Sequence, residues 1–210
     1  MATKIQQARF DIHGLPKIDS ISALADHTGC PVWQLWNMQF KTDDFYRCFD
    51  VPKKSGGTRI ICASSSPLKS VQRWVLRSIL NRLQASDHCY GFYPGAKLKD
   101  HVLQHQSAKA VLTLDIADFF GSISTPRIRN VFALAGYSSV SALMLSRLCS
   151  YRGALPQGAP SSPRIANLVC WRMDQRLAGL ADHLQLVYTR YADDLTFSSH
   201  SPRYSVRHWA

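Results

Sequence analysis

Tyr191-Ala192-Asp193-Asp194 is the stretch whose residue types could do chemistry. It lies between two apolar, β-prone runs, Leu184-Gln185-Leu186-Val187-Tyr188 and Leu195-Thr196-Phe197, which read as short strands joined by a tight turn. Adjacent carboxylates repel each other and Asp is a poor strand residue, so a pair placed there points to a cation to be held. Hard divalent ions such as Mg²⁺ take oxygen ligands, often one or two carboxylates plus substrate phosphates. Alone, an Asp-Asp pair is more often an ordinary polar turn. A third carboxylate, Asp115, ends the run Lys109-Ala110-Val111-Leu112-Thr113-Leu114-Asp115-Ile116, which reads as the clearest buried strand of the chain. Two metals about 4 Å apart, clamped by carboxylates from different strands, serve in-line phosphoryl or nucleotidyl transfer. One ion lowers the pKa of the attacking 3′-hydroxyl, and the other neutralises a triphosphate and its leaving oxygen.

Such chemistry needs cations for the phosphates. Asp44 to Ala63 reads as strand, glycine turn, strand, with Lys53, Lys54 and Arg59 in and beside the Ser55-Gly56-Gly57 turn. In isolation that turn is a solubilising basic loop. Leu155-Pro156-Gln157-Gly158-Ala159-Pro160-Ser161-Ser162-Pro163 is a small-residue loop feeding a helix expected over about 162–181. Small residues let another chain approach the backbone, and the helix N-terminus favours anions.

The remaining elements position these groups. Short amphipathic pieces are expected at Ile18–Ala25 and Pro31–Trp36, with Trp33 and Trp36 on one face and directed to the core rather than to base stacking. Pro67 opens a helix to about Ala85, with Lys69, Arg73, Arg77 and Arg82 around it. Tyr90–Lys97 is broken, and a short helix then carries His101 and His105. Their i, i+4 spacing suits a shared metal, but no further Cys/His cluster accompanies them, so structural or exposed histidines are expected. Helices fill 126–135 and 139–149, joined around Gly136.

The chain has 210 residues, a net charge of +11 and 46% hydrophobic residues. That is enough for one large domain or two small lobes, and the charge suits a polyanionic partner, nucleic acid before membrane. Its 6 cysteines, Cys30, Cys48, Cys62, Cys89, Cys149 and Cys170, are scattered without a C-x-x-C pair. Most of them sit among apolar residues and read as buried free thiols in a reducing cytosol. Met1–Phe10 has no apolar leader core, and no run is long enough to span a membrane. A cytoplasmic protein with no membrane partner is expected.

Four segments, in order, resemble those of reverse transcriptases, most closely the bacterial retron type. They are Val51–Arg59, Asp115–Ile123, Leu155–Pro163 and Tyr191–Ser198. The resemblance implies an α+β fold, a right-hand polymerase fingers and palm with an antiparallel palm sheet. It divides the chain into an N-terminal helical extension (1–43), fingers (44–108), the first catalytic palm strand (109–124), fingers/palm helices (125–154), a palm segment with the Asp-Asp hairpin (155–200) and an irregular tail (201–210). It implies Asp115, Asp193 and Asp194 as catalytic acids, holding two Mg²⁺ ions (Mn²⁺ as a substitute) with the Ile116 carbonyl as an extra ligand. Phe120 would sit under the incoming sugar and exclude a ribose 2′-hydroxyl, while Gln157 and Gly158 line the nucleotide and template pocket. Lys53 or Lys54, with Arg59, would bind the triphosphate. The implied partners are a template or noncoding RNA, a DNA primer or product, deoxynucleoside triphosphates, and a completing or effector protein. A retron context adds a branched RNA–DNA product and defence against phage.

Departures accompany the resemblance. The Asn-Ala-x-x-His element of retron enzymes corresponds to Leu98–His105, where His105 alone fits. Residues 200–210 supply neither the primer-grip turn nor a helical thumb, so fingers plus most of a palm are expected. A truncated product, a short form completed by another chain, and a compact weak enzyme all fit. An RNA-directed DNA polymerase is the leading reading. A non-catalytic RNA-binding module of the same fold and a group II intron maturase fragment stand beside it.

Overall fold

The computed structural model describes residues 14–53 and 56–201. Expectations for Met1–Phe10, for Lys54 and for the tail beyond Ser201 lie outside these residues. The chain is mixed α and β with two antiparallel sheets, and it divides into two compact units. One runs up to Gln84 and takes in Phe120–Val169; the other comprises Ala85–Phe119 and the chain from Cys170 on.

In the first unit, Ser20 caps helix α1 (Ile21–Thr28) by accepting from the Ala23 amide, and Gly29 closes it at φ 68°, where a left-handed residue is needed. Helix α2 (Val32–Phe40) follows Pro31. Leu24, Leu35 and Met38 are fully buried, whereas Trp33 and Trp36 are 67% and 51% exposed. The expected core role of the two tryptophans is therefore corrected. Leu35 and Met38, three apart on the other side of α2, already supply the stripe that packs.

Strands β1 (Tyr46–Pro52) and β2 (Thr58–Ser64) pair in register from Tyr46↔Ser64 to Pro52↔Thr58. This register sets Cys48 opposite Cys62, and the two form a disulfide. The expectation that most cysteines are free thiols does not extend to this pair, because cross-strand partners lie within bonding reach of one another. Cys30, Cys89, Cys149 and Cys170 are free, the last three buried.

Helix α3 (Ser66–Ser78) buries Leu68, Val71 and Val75. It stops short of the expected Ala85, giving way to a 3₁₀ turn over Leu80–Arg82. Buried Gln72 donates to the Tyr46 hydroxyl at 2.6 Å and the Leu148 carbonyl at 2.8 Å. Helix α4 (Leu98–Gln104) belongs to the other unit, and helices α5 (Thr125–Leu134), α6 (Ser139–Leu148) and α7 (Ser162–Val169) complete this one. Arg164 of α7 is buried and donates to the Leu80 and Leu83 carbonyls, closing the 3₁₀ turn.

The second unit is built on helix α4 (Leu98–Gln104), strand β3 (Ala110–Asp115), helix α8 (Trp171–His183) and the hairpin of β4 (Val187–Tyr191) and β5 (Asp194–Ser199). Sheet order is β3-β5-β4, all antiparallel. Ala178 and Ala181 of α8 pack with Leu186, Tyr188 and Phe197 to form its core. Two expectations change here. The single helix over 162–181 is broken at Cys170, where nearly all-round burial in α7 gives way to one-sided burial in α8. Strand β3 is not deeply buried. It is an edge strand, and its Val111 and Leu114 are 56% and 46% exposed. Among the described residues no helix is long and apolar enough to cross a membrane.

Candidate active site

Tyr191 pairs with Asp194 across a turn made of Ala192 and Asp193. Ala192 takes φ 58°, the left-handed conformation that a two-residue hairpin turn demands. The β3–β5 register sets Asp115 directly opposite Asp194, and the Ile116 amide donates to the Asp193 carbonyl at 3.1 Å. Residues far apart in sequence thus meet at one end of the sheet. Asp115 and Asp194 are exposed and Asp193 is half-buried.

Partial desolvation at this end of the sheet raises the Asp194 carboxyl above its ordinary range although the residue is largely exposed, the neighbouring Asp193 and Asp115 carboxylates raise it further, and His101 opposes them. Mutual repulsion of this kind is relieved by a hard cation, and three carboxylates are the oxygen donors that Mg²⁺ or Mn²⁺ takes. Among the described residues no three His, Cys, Asp or Glu side chains are already gathered around a single metal position. In donor chemistry and charge the residues fit a divalent ion. Asp115, Asp193 and Asp194 would hold it.

The turn is braced from behind. Arg190 and Asp174 are both fully buried and form a two-pronged ion pair, Nε to Oδ1 at 2.8 Å and Nη2 to Oδ2 at 2.8 Å. Arg190 Nη1 also donates to the Ala192 carbonyl at 2.8 Å, and the Tyr188 hydroxyl donates to Asp174 Oδ1 at 3.0 Å. Burial alone would lower the guanidinium pKa, but the Asp174 carboxylate outweighs it and holds the group firmly charged. The Arg190 backbone is bonded on both sides to the loop before α4, donating to His88 and accepting from Tyr90, each at 2.8 Å. Gly91 in that loop lies against the turn: an added Cβ would stand 3.4 Å from the Ala192 nitrogen and 3.5 Å from the Tyr191 ring.

Helix α4 brings both histidines to the same unit. His105 reaches Ser198 Oγ at 2.7 Å and Thr189 Oγ1 at 2.6 Å, tying α4 to β5 and β4. His101 packs its ring 5.8 Å from Tyr191, and its Nε2 is buried without a hydrogen-bond partner. Burial lowers the His101 pKa while Asp194 raises it. The residues that the sequence reading missed are Arg190 and Asp174; His101 and His105, expected to be structural or exposed, are half-buried. A charge inside the otherwise uncharged Val187–Tyr191 strand was the available signal for Arg190.

The other expected site residues belong to the first unit. Lys53 and Arg59 are exposed at the β1–β2 turn, where the Lys53 amide donates to the Gly57 carbonyl at 3.0 Å. Gln157 uses its carbonyl to accept from the Cys62 amide at 2.7 Å, seating its loop against β2. Gly158 has φ 119°, and a Cβ there would come within 2.9 Å of Ile61 Cγ2 and 3.1 Å of the Cys62 carbonyl oxygen. Phe119 is buried in its unit, and Phe120 is half-buried in the other.

Comparison with known proteins identifies the family of the chain. The family model described as reverse transcriptase (RNA-dependent DNA polymerase) matches residues 51–210. The chain is 37% identical over 196 residues to the Retron Ec86 reverse transcriptase of Escherichia coli, covering 92% of this chain and 61% of the relative. It is 35% identical to the Retron Mx162 reverse transcriptase of Myxococcus xanthus over 92% of this chain and 44% of the relative. It is 39% identical to the Retron Mx65 reverse transcriptase of Myxococcus xanthus over 73% and 40%. The chain thus spans between 40% and 61% of the length of these curated relatives. With the family model matched from the β1–β2 arm through the Asp193-Asp194 turn, the chain belongs to the reverse transcriptase family.

Proposed function

We propose that this chain carries the catalytic site of an RNA-directed DNA polymerase of retron type, which adds deoxynucleotides to a 3′-hydroxyl. The observation that carries the proposal is the apposition of Asp115 and Asp194 across β3 and β5, with Asp193 at the adjoining turn. Asp115 and Asp193 act as metal ligands and Asp194 as the third acid. Bound divalent ions would supply charge neutralisation at the triphosphate and a more acidic 3′-hydroxyl. Lys53, Lys54 and Arg59 hold the triphosphate as charge-assisted donors. Phe120 excludes a ribose 2′-hydroxyl by contact, and the Gln157–Gly158 loop lines the base pair being formed. Each residue binds, orients or excludes, as expected of a reaction catalysed by positioning and electrostatics.

The retron relatives extend the proposal to a structured noncoding RNA as template, a branched RNA–DNA product, and a cytoplasmic role in defence against phage, with an effector or completing protein as partner. Primer extension on an RNA template with Mg²⁺ tests the central claim. Wild type extends a DNA primer and Asp193→Asn does not. Equal extension by both refutes the assignment.

A second reading is supported by the basic character of the chain, whose net charge is +11. In it the fold binds RNA without turnover. Salt-sensitive RNA binding with no incorporation at any Mg²⁺ or Mn²⁺ concentration supports that reading instead.

A further inference from the structure

We infer that Arg190, clamped by Asp174, is the positioning residue that sets Asp193 and Asp194 for the reaction proposed above. The inference rests on that proposal for the chemistry, but its geometry stands on the buried pair and the turn.

A fully buried ion pair is an expensive way to fill space. Desolvation of two charges takes back most of their attraction, and apolar side chains of similar volume often serve stability as well or better. Tyr188, Phe197 and the α8 alanines already form an apolar core in this unit. The charged pair must therefore do something that a Met–Leu pair cannot. What it does is supply a third donor. Two arms of the guanidinium are fixed on Asp174, and Nη1 is thereby aimed at the Ala192 carbonyl at 2.8 Å.

Ala192 is the turn residue that most needs holding. It is a non-glycine at φ 58°, 8% exposed, and its carbonyl lies between the strand carrying Arg190 and Asp193. A left-handed alanine persists where surrounding contacts over-determine it. Here the contacts come from three directions. The guanidinium holds the carbonyl, the His88–Tyr90 backbone holds Arg190 itself, and Gly91 allows the loop to close on the Ala192 nitrogen. Asp174 holds Arg190 from helix α8, so the helix, the loop and the hairpin are tied together through the residue that reaches the turn. Displacement of reacting groups by about 1 Å costs on the order of 10²-fold in rate. Relaxing this turn should therefore lower turnover far more than it lowers substrate affinity.

The test uses the full chain and two variants, Asp174→Leu/Arg190→Met and Arg190→Lys. Three quantities are measured on each: Tm, Mn²⁺ affinity by titration of free ion, and kcat and KM for deoxynucleotide in primer extension. The double variant is expected to melt within about 5 °C of wild type, since apolar replacement of a buried pair is tolerated. Its kcat is expected to fall roughly 100-fold with KM changed less than about threefold, and its Mn²⁺ affinity to fall about tenfold or more. Arg190→Lys keeps the charge but loses the fork, and its kcat should fall about tenfold. A folded double variant with wild-type kcat and Mn²⁺ affinity overturns the inference, because the pair is then structural only. If the double variant does not fold, unchanged kcat and Mn²⁺ affinity in Arg190→Lys overturn it equally. If wild type extends no primer, the polymerase reading fails separately, and the Mn²⁺ titration decides the positioning role. A wild type that neither extends nor binds Mn²⁺ overturns both.

Discussion

The two hairpins of this chain solve opposite problems. The β1–β2 arm presents cations at an exposed turn, with Lys53 and Gly57 bonded to each other. Its cross-strand tie is covalent, at Cys48–Cys62, and Gln157 supports it at the base of β2. The β4–β5 hairpin presents carboxylates on a two-residue turn held from outside by Arg190, Asp174 and the His88–Gly91 segment. A cation that meets a triphosphate can find it from many geometries, since Lys acts as a flexible point charge. Carboxylates that are to share a divalent ion, as proposed for this turn, cannot be loose. The difference teaches that the acidic turn spends buried polar interactions on position, while the basic turn spends few.

The sharpest way to break this contrast is to remove one charge from each tip. Asp193→Asn is expected to lower primer extension by roughly 10³-fold or more with Tm unchanged or raised, because the proposed metal ligand is lost while repulsion is relieved. Activity assay and thermal melt on the same preparation check it. Gly158→Val attacks the support of the basic arm, since φ 119° and a 2.9 Å approach to Ile61 leave no room for a side chain. It is expected to cost about 2–4 kcal/mol in chemical denaturation. Arg59→Ala should raise deoxynucleotide KM by about tenfold, with kcat within a factor of about three, as one charge-assisted contact is lost from an exposed site. A kcat loss as large as that of Asp193→Asn would mean that the basic arm is also a precision element, and the comparison would fail.

The smallest effect is electrostatic. The Asp194 pKa is raised in the fold, by partial desolvation first and then by Asp193 and Asp115. The folded protein therefore holds this proton more tightly than the unfolded chain does. Its contribution to stability is full below the unfolded carboxylate pKa and is lost as pH rises through the folded value. Melting temperature against pH, in the absence of divalent ions, should fall less over that acidic window in Asp194→Asn than in wild type. Added Mg²⁺ should raise the wild-type melting temperature above that window, where the carboxylates are ionised, by neutralising the same repulsion.

Much of the site was legible in the sequence because its signals are local. Asp115 closes an apolar run, and Asp193-Asp194 interrupts another, so strand ends and turns announced themselves. The cationic glycine turn was legible for the same reason. What could not be read depends on register or on which face wins. Cys48 and Cys62 become partners only once β1 and β2 are aligned. Trp33 and Trp36 share a helix face, but spacing alone does not say that Leu35 and Met38 take the core. Asp174 and Arg190 sit on a helix and a strand with no common period, so their pairing had no signature beyond an isolated charge in a strand. The apolar run ending in Asp115 reads as a covered strand because hydrophobic content does not distinguish a central strand from an edge.

That edge position has a consequence in time. Strand β3 finds its partner β5 about 80 residues later in the chain, as the Asp115↔Asp194 register requires. At roughly 5–20 residues per second, a ribosome takes on the order of 4–16 s to deliver β5 after β3 has emerged. Throughout that interval Val111, Leu112 and Leu114 wait without their sheet, and the carboxylates do not yet confront one another. The acidic constellation is assembled among the last long-range contacts of this unit, so a newborn chain is sticky before it is catalytically poised.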